Sequence, residues 1–457
     1  MDYVIENPAG GYGIDFIRCM RRRFGARAVC VYTAEAQLPA SARLHPELAS
    51  KDHVAAHYVA SPEAFPALID HLRRHHAIGA IIPHNEMSVS NAITLAEGLG
   101  LDWVQPAIMR RFRDKFALKA HLRATDPGLR INHAELASSP SEALAIVRRN
   151  RLPRFVLKPN DGAANINVGI FSADDPPSLV EDYWRRTQAR TVLLEEFIGG
   201  REYHCNGQVD AEGNVTIIDI GRTHYAETAQ REIVCLRTDQ TPFAAPEFAA
   251  IADYTRRVII VSGLRRCPFH AELRVDESGP CLLECAARLI GAGWARFVPL
   301  MHGPRFDMID LAAHYYGSSK PGEPPALDWK TYDDALLIKI RGVSTRAEEI
   351  RQLEGVRETE KLPQFLTWTE KPSLGQNLAA TNNLMSSPYA LMTRCRNLDE
   401  ADEVERKIRA LIQWNTRPPS AREKISHYAS KAPGFIRQKL RLNRDSGAPL
   451  AVSAVFK

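Results

Sequence analysis

The stretch FHAELRVDESGPCLLECAAR, residues 269–288, sets Glu272 before an Asp-Glu-Ser-Gly-Pro break and Glu284 after it. If the two arms pair as a hairpin centred near Ser278, the two carboxylates stand directly opposite each other, because side chains alternate between faces along a strand. In that register Phe269, Ala271, Leu273 and Val275 share an apolar face with Cys281, Leu283 and Cys285. His270, Glu272, Arg274, Glu284 and Ala286 take the other face, and Arg288 follows just past the second arm. Opposed like charges ~5 Å apart repel by about 3 kcal/mol at an effective dielectric near 20. A divalent cation offsets that repulsion, and a sparse shell of hard oxygens suits Mg²⁺ completed by phosphate and water. Two arrangements remove the conflict without metal: Arg274 or Arg288 bridging the pair, or a slipped register.

Two further groups have the chemistry of an anion site. Lys158 ends the apolar run FVLKP beside the small-residue loop NDGAANINVG, whose backbone N–H groups can approach an anion closely while lysine supplies a point charge. Lys115 opens the helical run DKFALKAHLR. In LLEEFIGGRE an apolar strand delivers Glu195 and Glu196, then Phe197 and Ile198, and two glycines permit a sharp turn before Glu202. A carboxylate beside such an apolar hinge can accept from an exocyclic amine and from ribose hydroxyls. A zinc reading is close at hand: HAE at 270–272 followed by PCLLEC nearly repeats the H-x-E…P-C-x-x-C deaminase pattern. Three residues rather than two separate Cys281 from Cys285, and in the hairpin above both cysteines face away from His270, so that reading is set aside.

These groups need elements to hold them. Strand-like DYVIE, AVCVYT and AIGAIIP alternate with the helical IDFIRCMRRRF and NAITLAEGLG, which predicts an open parallel sheet over the first hundred residues. GGYG after the first strand lacks the full dinucleotide-binding spacing and reads as a tight turn. GSSKPGEPP, at 317–325, has linker composition, and DALLIKIRG, SPYALMTRCR and DEADEVERKIRALI after it form a smaller α/β unit. The chain of 457 residues has room for two or three domains and lacks any run of ~20 apolar residues that would span a bilayer. Its start has neither the basic nor the apolar region of a signal peptide, and its eight cysteines are scattered, which points to a reduced, cytoplasmic setting. From Arg417 onward nine Lys/Arg face two Asp/Glu, a basic extension read as a solvated tail; the body carries no basic, aromatic-rich surface of the kind that binds nucleic acid.

Taken in order, DKFALK, VLKPNDGAANINVG, EEFIGGRE and the Glu272/Glu284 hairpin resemble the ATP-grasp superfamily of carboxylate–amine ligases, most closely its L-amino-acid ligases. The resemblance runs from residue 1 to 411 and is strongest over 114–293. It implies an α/β fold: a Rossmann-like N-terminal domain at 1–106, a small lobe at 107–190, a large lobe with the metal site at 191–316, a C-terminal α/β part at 326–415 completing that lobe, and the basic extension at 416–457. The nucleotide would lie between the lobes. Lys115 and Lys158 would hold ATP phosphates, the Glu195–Ile198 hinge (Glu195, Glu196, Phe197, Ile198) would hold the adenine, Glu202 the ribose, and Glu272 and Glu284 Mg²⁺, with Mn²⁺ as an alternative. Arg288 would stabilise the acyl phosphate. His224, Glu227 and His270 are the candidates at the substrate, one of them accepting the proton of the incoming amine. ATP and small amino acids are the implied partners, with a homodimer the oligomer to test. The implied reaction activates a carboxylate as an acyl phosphate and joins it to a second amino acid; the alternatives are a ligase for a peptide or secondary-metabolite acid and a non-catalytic ATP-binding regulator. One departure stands out: Ala286 occupies a position where many members carry a metal-binding asparagine.

Overall fold

A computed structural model describes residues 1–34, 45–101, 105–228, 231–318, 326–417 and 453–454. The expected linker at 317–325 and the basic extension at 416–457 lie almost wholly outside them. At the N-terminus, Asp2–Glu6 is flanked by the parallel strands Arg27–Tyr32 and Ile78–Ile82, and Val54–Val59 pairs beyond Arg27–Tyr32. Their near-continuous burial follows from helices covering the sheet, as a parallel sheet requires. The helix Gly13–Phe24 buries Ile14, Phe16, Ile17 and Met20 and stops at Gly25, whose left-handed backbone closes the last turn.

Two antiparallel sheets follow. The small one has the order Ala134–Ala137, Val192–Glu196, Arg154–Lys158, Gly169–Ser172, over a core of Phe155, Leu157, Phe171 and Tyr183. The large one has eight strands. It begins with the hairpin Cys267–Asp276/Gly279–Ala286, continues through Arg201–Val209, Val215–Glu227 and Ile233–Gln240, and ends on three strands from beyond residue 335, including Leu336–Arg341. Three C-terminal strands therefore extend the large sheet, while Glu348–Glu354 pairs with Asn377–Leu378 and Gln413–Arg417 in a separate three-stranded antiparallel sheet. Helix Leu398–Leu411 packs over this end, with Ala401, Val404 and Ile408 in a third core.

Candidate functional site

The hairpin register pairs Glu272 with Glu284. A β-bulge follows at once, so Leu273 pairs with Leu282 and Arg274 with Cys281. The bulge corrects the expected facing of the second arm: Leu282, not Leu283, joins the buried core, and Cys281 moves to the face of the carboxylates. Neither arginine bridges the glutamates. Lys115 Nζ lies 3.2 Å from Glu284 Oε2, and His270 Nε2 lies 3.1 Å from Glu272 Oε1. Burial pushes the Glu284 carboxyl up, but Lys115 and Lys158 outweigh it and hold it at about 2.

Lys115 is aimed by its helix cap. Asp114 accepts from Ala117 N at 2.8 Å, the usual N-cap bond, and also from Asn160 Nδ2 at 2.8 Å. Asn160 Oδ1 in turn accepts from Phe116 N at 2.9 Å, so the residue two positions after Lys158 fixes the start of the Lys115 helix. Lys115 Nζ donates to Gly162 O at 2.7 Å. Lys115, Lys158, Glu284 and residues 162–166 line one open pocket. In its wall Ala164 and Asn165 have φ near +60°, as does Asn167 just beyond them, a conformation costly for residues with a Cβ and common at ligand-holding loops.

Glu195 is not an open hinge carboxylate. It is 1% exposed and bridges two lysines: Lys119 Nζ at 2.5 Å from Oε1 and Lys158 Nζ at 2.8 Å from Oε2. Lys119, itself 1% exposed, donates to Asn132 Oδ1 at 2.7 Å. Burial lowers its ammonium to about 8 even with Glu195 beside it. The sequence reading missed Lys119, although its spacing of four from Lys115 puts both on one face of the helix.

Beyond Glu195 the chain turns out of the sheet. Asn132 Nδ2 donates to Glu196 O at 2.9 Å, and the Phe197 ring is flanked by the guanidiniums of Arg154 and Arg274, 4.0 and 4.9 Å from its centroid. Arg274 also donates to Ile198 O at 3.1 Å, which occupies the arginine that might have bridged the glutamates. Gly200 has φ +75°, and a Cβ there would sit 1.9 Å from Val275 O. Glu202 opens the next strand opposite Arg274, and burial together with the charge of Glu272 raises it to about 7.

Arg288 reaches across to the N-terminal sheet. Its Nε donates to Glu86 in the HNEMSVS loop, and Arg113 grips the other oxygen of the same carboxylate. Glu86 thus ties the N-terminal domain to the Glu272/Glu284 hairpin, a link between distant segments that sequence spacing could not reveal.

The three substrate candidates part company. His270 sits against Glu272 and donates from Nδ1 to Asn206 Oδ1 at 2.8 Å. His224 lies on the other face of the large sheet, 2.7 Å from Asp239, within an ion-pair group formed by Arg237, Asp402 and Glu405 of the C-terminal helix. Glu227 is exposed at the rim, bound to Arg231 and Arg154. The structure brings neither His224 nor Glu227 to the carboxylates. Glu202 pairs with Thr223, so the next residue, His224, takes the opposite face of the sheet by ordinary alternation, and Glu227 lies at the end of its strand. Among the described residues no three His, Cys, Asp or Glu side chains are grouped to hold a metal, which leaves the zinc pattern without a site. Two opposed carboxylates with phosphate oxygens to complete the shell do suit Mg²⁺, and Ala286 adds no donor.

Residues 153–296 match the family model for an ATP-grasp domain. No curated protein matches the chain in sequence. Among solved structures, an L-amino acid ligase from Bacillus licheniformis superposes with a TM-score of 0.70 at 17% identity, over 91% of this chain and 98% of its own. A phosphoribosylglycinamide synthetase from Anaerococcus prevotii gives 0.60 at 12% identity, over 91% of this chain and 99% of its own. The biotin carboxylase domain of a Hydrogenobacter thermophilus 2-oxoglutarate carboxylase, solved with MgADP and bicarbonate, gives 0.61 at 14% identity, over 97% and 99%. At such identities the likeness speaks to the fold. The chain has the ATP-grasp fold.

Proposed function

We propose that the chain is an ADP-forming ligase that activates the carboxylate of an amino acid as an acyl phosphate and joins it to the amine of a second amino acid. The observation that carries this reading is the convergence of Lys115, Lys158, the 162–166 loop and Glu284 on one cavity, with Glu272 paired to Glu284 at its wall. Phosphoryl transfer needs charge neutralisation and positioning more than covalent help, and this cluster offers both.

In this reading the hinge from Glu196 to Ile198 receives the adenine and Glu202 the ribose, while Glu195 anchors Lys158. Lys158, held by Glu195, and Lys115, held by Gly162 O and Glu284, neutralise phosphate oxygens. Glu272 and Glu284 would hold Mg²⁺, which supplies charge neutralisation at the phosphates. The acid's carboxylate oxygen attacks the γ-phosphorus, ADP leaves, and the acyl phosphate forms. The amine nitrogen then attacks the acyl carbon, the C–O bond to phosphate breaks, and phosphate leaves with a proton lost from nitrogen. Arg288, half-buried near the carboxylates and anchored by Glu86, would stabilise negative charge developing on the acyl oxygens.

The test is an ATP- and Mg²⁺-dependent phosphate-release screen over pairs of amino acids, with mass spectrometry of the products. Release that depends on both amino acids, with a product of the mass of a dipeptide, is expected. Glu284→Gln should abolish turnover and leave the circular dichroism unchanged; an undiminished rate in that variant refutes the metal assignment. Nucleotide binding with no release for any pair would favour a non-catalytic regulator.

A further inference from the structure

The large sheet carries two buried cations that the reaction above leaves without a task. Lys339 and Arg341 sit two apart on the strand Leu336–Arg341, so they share one face, and they are 3% and 7% exposed. The ladder shows which face. Arg274 pairs with Glu202, Glu202 with Thr223, Thr223 with Thr238, and Thr238 with Lys339. Lys339 and Arg341 therefore lie on the face that carries Glu202, Glu272 and Arg274. Three strand spacings put Lys339 about 14 Å from Glu202 along the sheet.

Their hydrogen bonds among the described residues go to neutral acceptors. Lys339 Nζ donates to Ala292 O at 2.6 Å, and Arg341 Nη1 donates to Cys235 Sγ and Thr238 Oγ1, each at 3.4 Å. An ammonium has three donors and a guanidinium five, so most of this donor capacity is unspent. Neither side chain forms a close ion pair among the described residues, Glu370 attracting Lys339 only from a longer range, although buried charges are ordinarily paired. The other buried cations of this chain conform: Lys115 has Glu284, Lys119 and Lys158 have Glu195, and Arg237 has Asp239. Ala292 follows Arg288 by four residues, so Lys339 also borders the loop that leaves the acyl-phosphate arginine.

We propose that Lys339 and Arg341 form an anion subsite that receives the free carboxylate of the amine-bearing substrate. On that face the carboxylates for the metal lie toward one end and the two cations for the second substrate toward the other, with the exposed Glu370 at the sheet edge beyond Arg341. This division distinguishes an α-amino acid from a simple amine, which has no carboxylate to place there. Burial, with Arg341 adding to it, lowers the Lys339 ammonium to about 7, so a bound carboxylate would also hold its proton in place.

The inference rests on the ligase reading, and its test separates the two. Phosphate release is measured for the full chain with the acid partner found in the screen, using L-alanine or L-alaninamide as the amine. In Lys339→Met the KM for alanine should rise about tenfold to a hundredfold, the usual worth of a charged hydrogen bond, with the KM values for alaninamide and ATP unchanged. Lys339→Arg should keep the preference for the acid, and Arg341→Gln should lose it. An unchanged acid-to-amide preference in Lys339→Met overturns the inference, as does a rise confined to the KM for ATP. If Lys339→Met does not fold, Arg341→Gln decides by the same criterion. If the wild-type chain releases no phosphate with any pair, the ligase reading has failed and the subsite is tested alone by calorimetric titration of alanine and alaninamide in the presence of MgADP. Alanine binding that is lost in Lys339→Met supports it; equal binding in both proteins, or none in the wild type, overturns it.

Discussion

Glu195 between Lys119 and Lys158 makes a prediction whose sign is unusual. Three fully buried charges sum to +1, and the carboxylate is the sole anion among them. At an effective dielectric near 20 each lysine–glutamate attraction is worth about 4 kcal/mol, and the two ammoniums on one carboxylate repel by about 3 kcal/mol. Lys119→Met deletes one attraction and one repulsion, so it should cost about 1 kcal/mol or less. Glu195→Gln deletes both attractions and leaves two buried cations facing each other, which should cost about 3–5 kcal/mol. The double variant keeps only Lys158 and should recover about 2 kcal/mol relative to Glu195→Gln, a coupling measurable by a double-mutant cycle. The Glu195→Gln deficit should also shrink as pH rises. Without their anion the lysines have folded-state pKa values below the unfolded one, so the unfolded chain binds more protons and stability increases with pH. Urea unfolding at pH 7 and pH 9 provides the measurement. A Glu195→Gln cost below about 1 kcal/mol, or a double variant as unstable as the sum of the singles, would refute the reasoning.

Other expectations follow from single placements. Burial raises Glu6 from 4.5 to about 7 at the end of the first strand, so its contribution to stability is complete below pH 4.5 and is lost as pH rises through 7. Glu6→Gln should flatten up to about 3 kcal/mol of that loss in unfolding curves taken from pH 4.5 to 7.5; a wild-type slope in the variant contradicts this. Gly200→Ala puts a Cβ 1.9 Å from Val275 O at φ +75°, and should cost about 2 kcal/mol or more and weaken ADP binding by calorimetry. His224→Ala, on the far face, should keep kcat within about twofold while lowering stability by about 1 kcal/mol through its lost hydrogen bond to Asp239; a hundredfold loss of kcat would return His224 to the site.

Much of this was legible in the sequence, for identifiable reasons. The Asp-Glu-Ser-Gly turn defined the register of the hairpin, so Glu272 opposite Glu284 could be read directly. The cap and spacing of DKFALK and the small-residue loop after Lys158 placed two phosphate-type lysines on adjoining elements. Bulges were not legible, because one extra residue leaves no mark in composition and yet inverts every facing beyond it: Leu283 and Cys281 were misassigned in this way. Nor could spacing show that Glu195 would be roofed by Lys119, or that Glu86 would cross from another sheet to hold Arg288. Both depend on how separate elements dock.

The acyl-phosphate route is tested most directly by isotope transfer. An amino acid labelled with ¹⁸O in both carboxylate oxygens is turned over with ATP, Mg²⁺ and the amine partner, and the products are weighed. If the carboxylate attacks the γ-phosphorus and the amine later displaces phosphate, each inorganic phosphate carries one ¹⁸O and the nucleotide product is unlabelled ADP. Label found in AMP, or phosphate released without label, would contradict the assignment of Lys115, Lys158, Glu272 and Glu284 to γ-phosphoryl transfer.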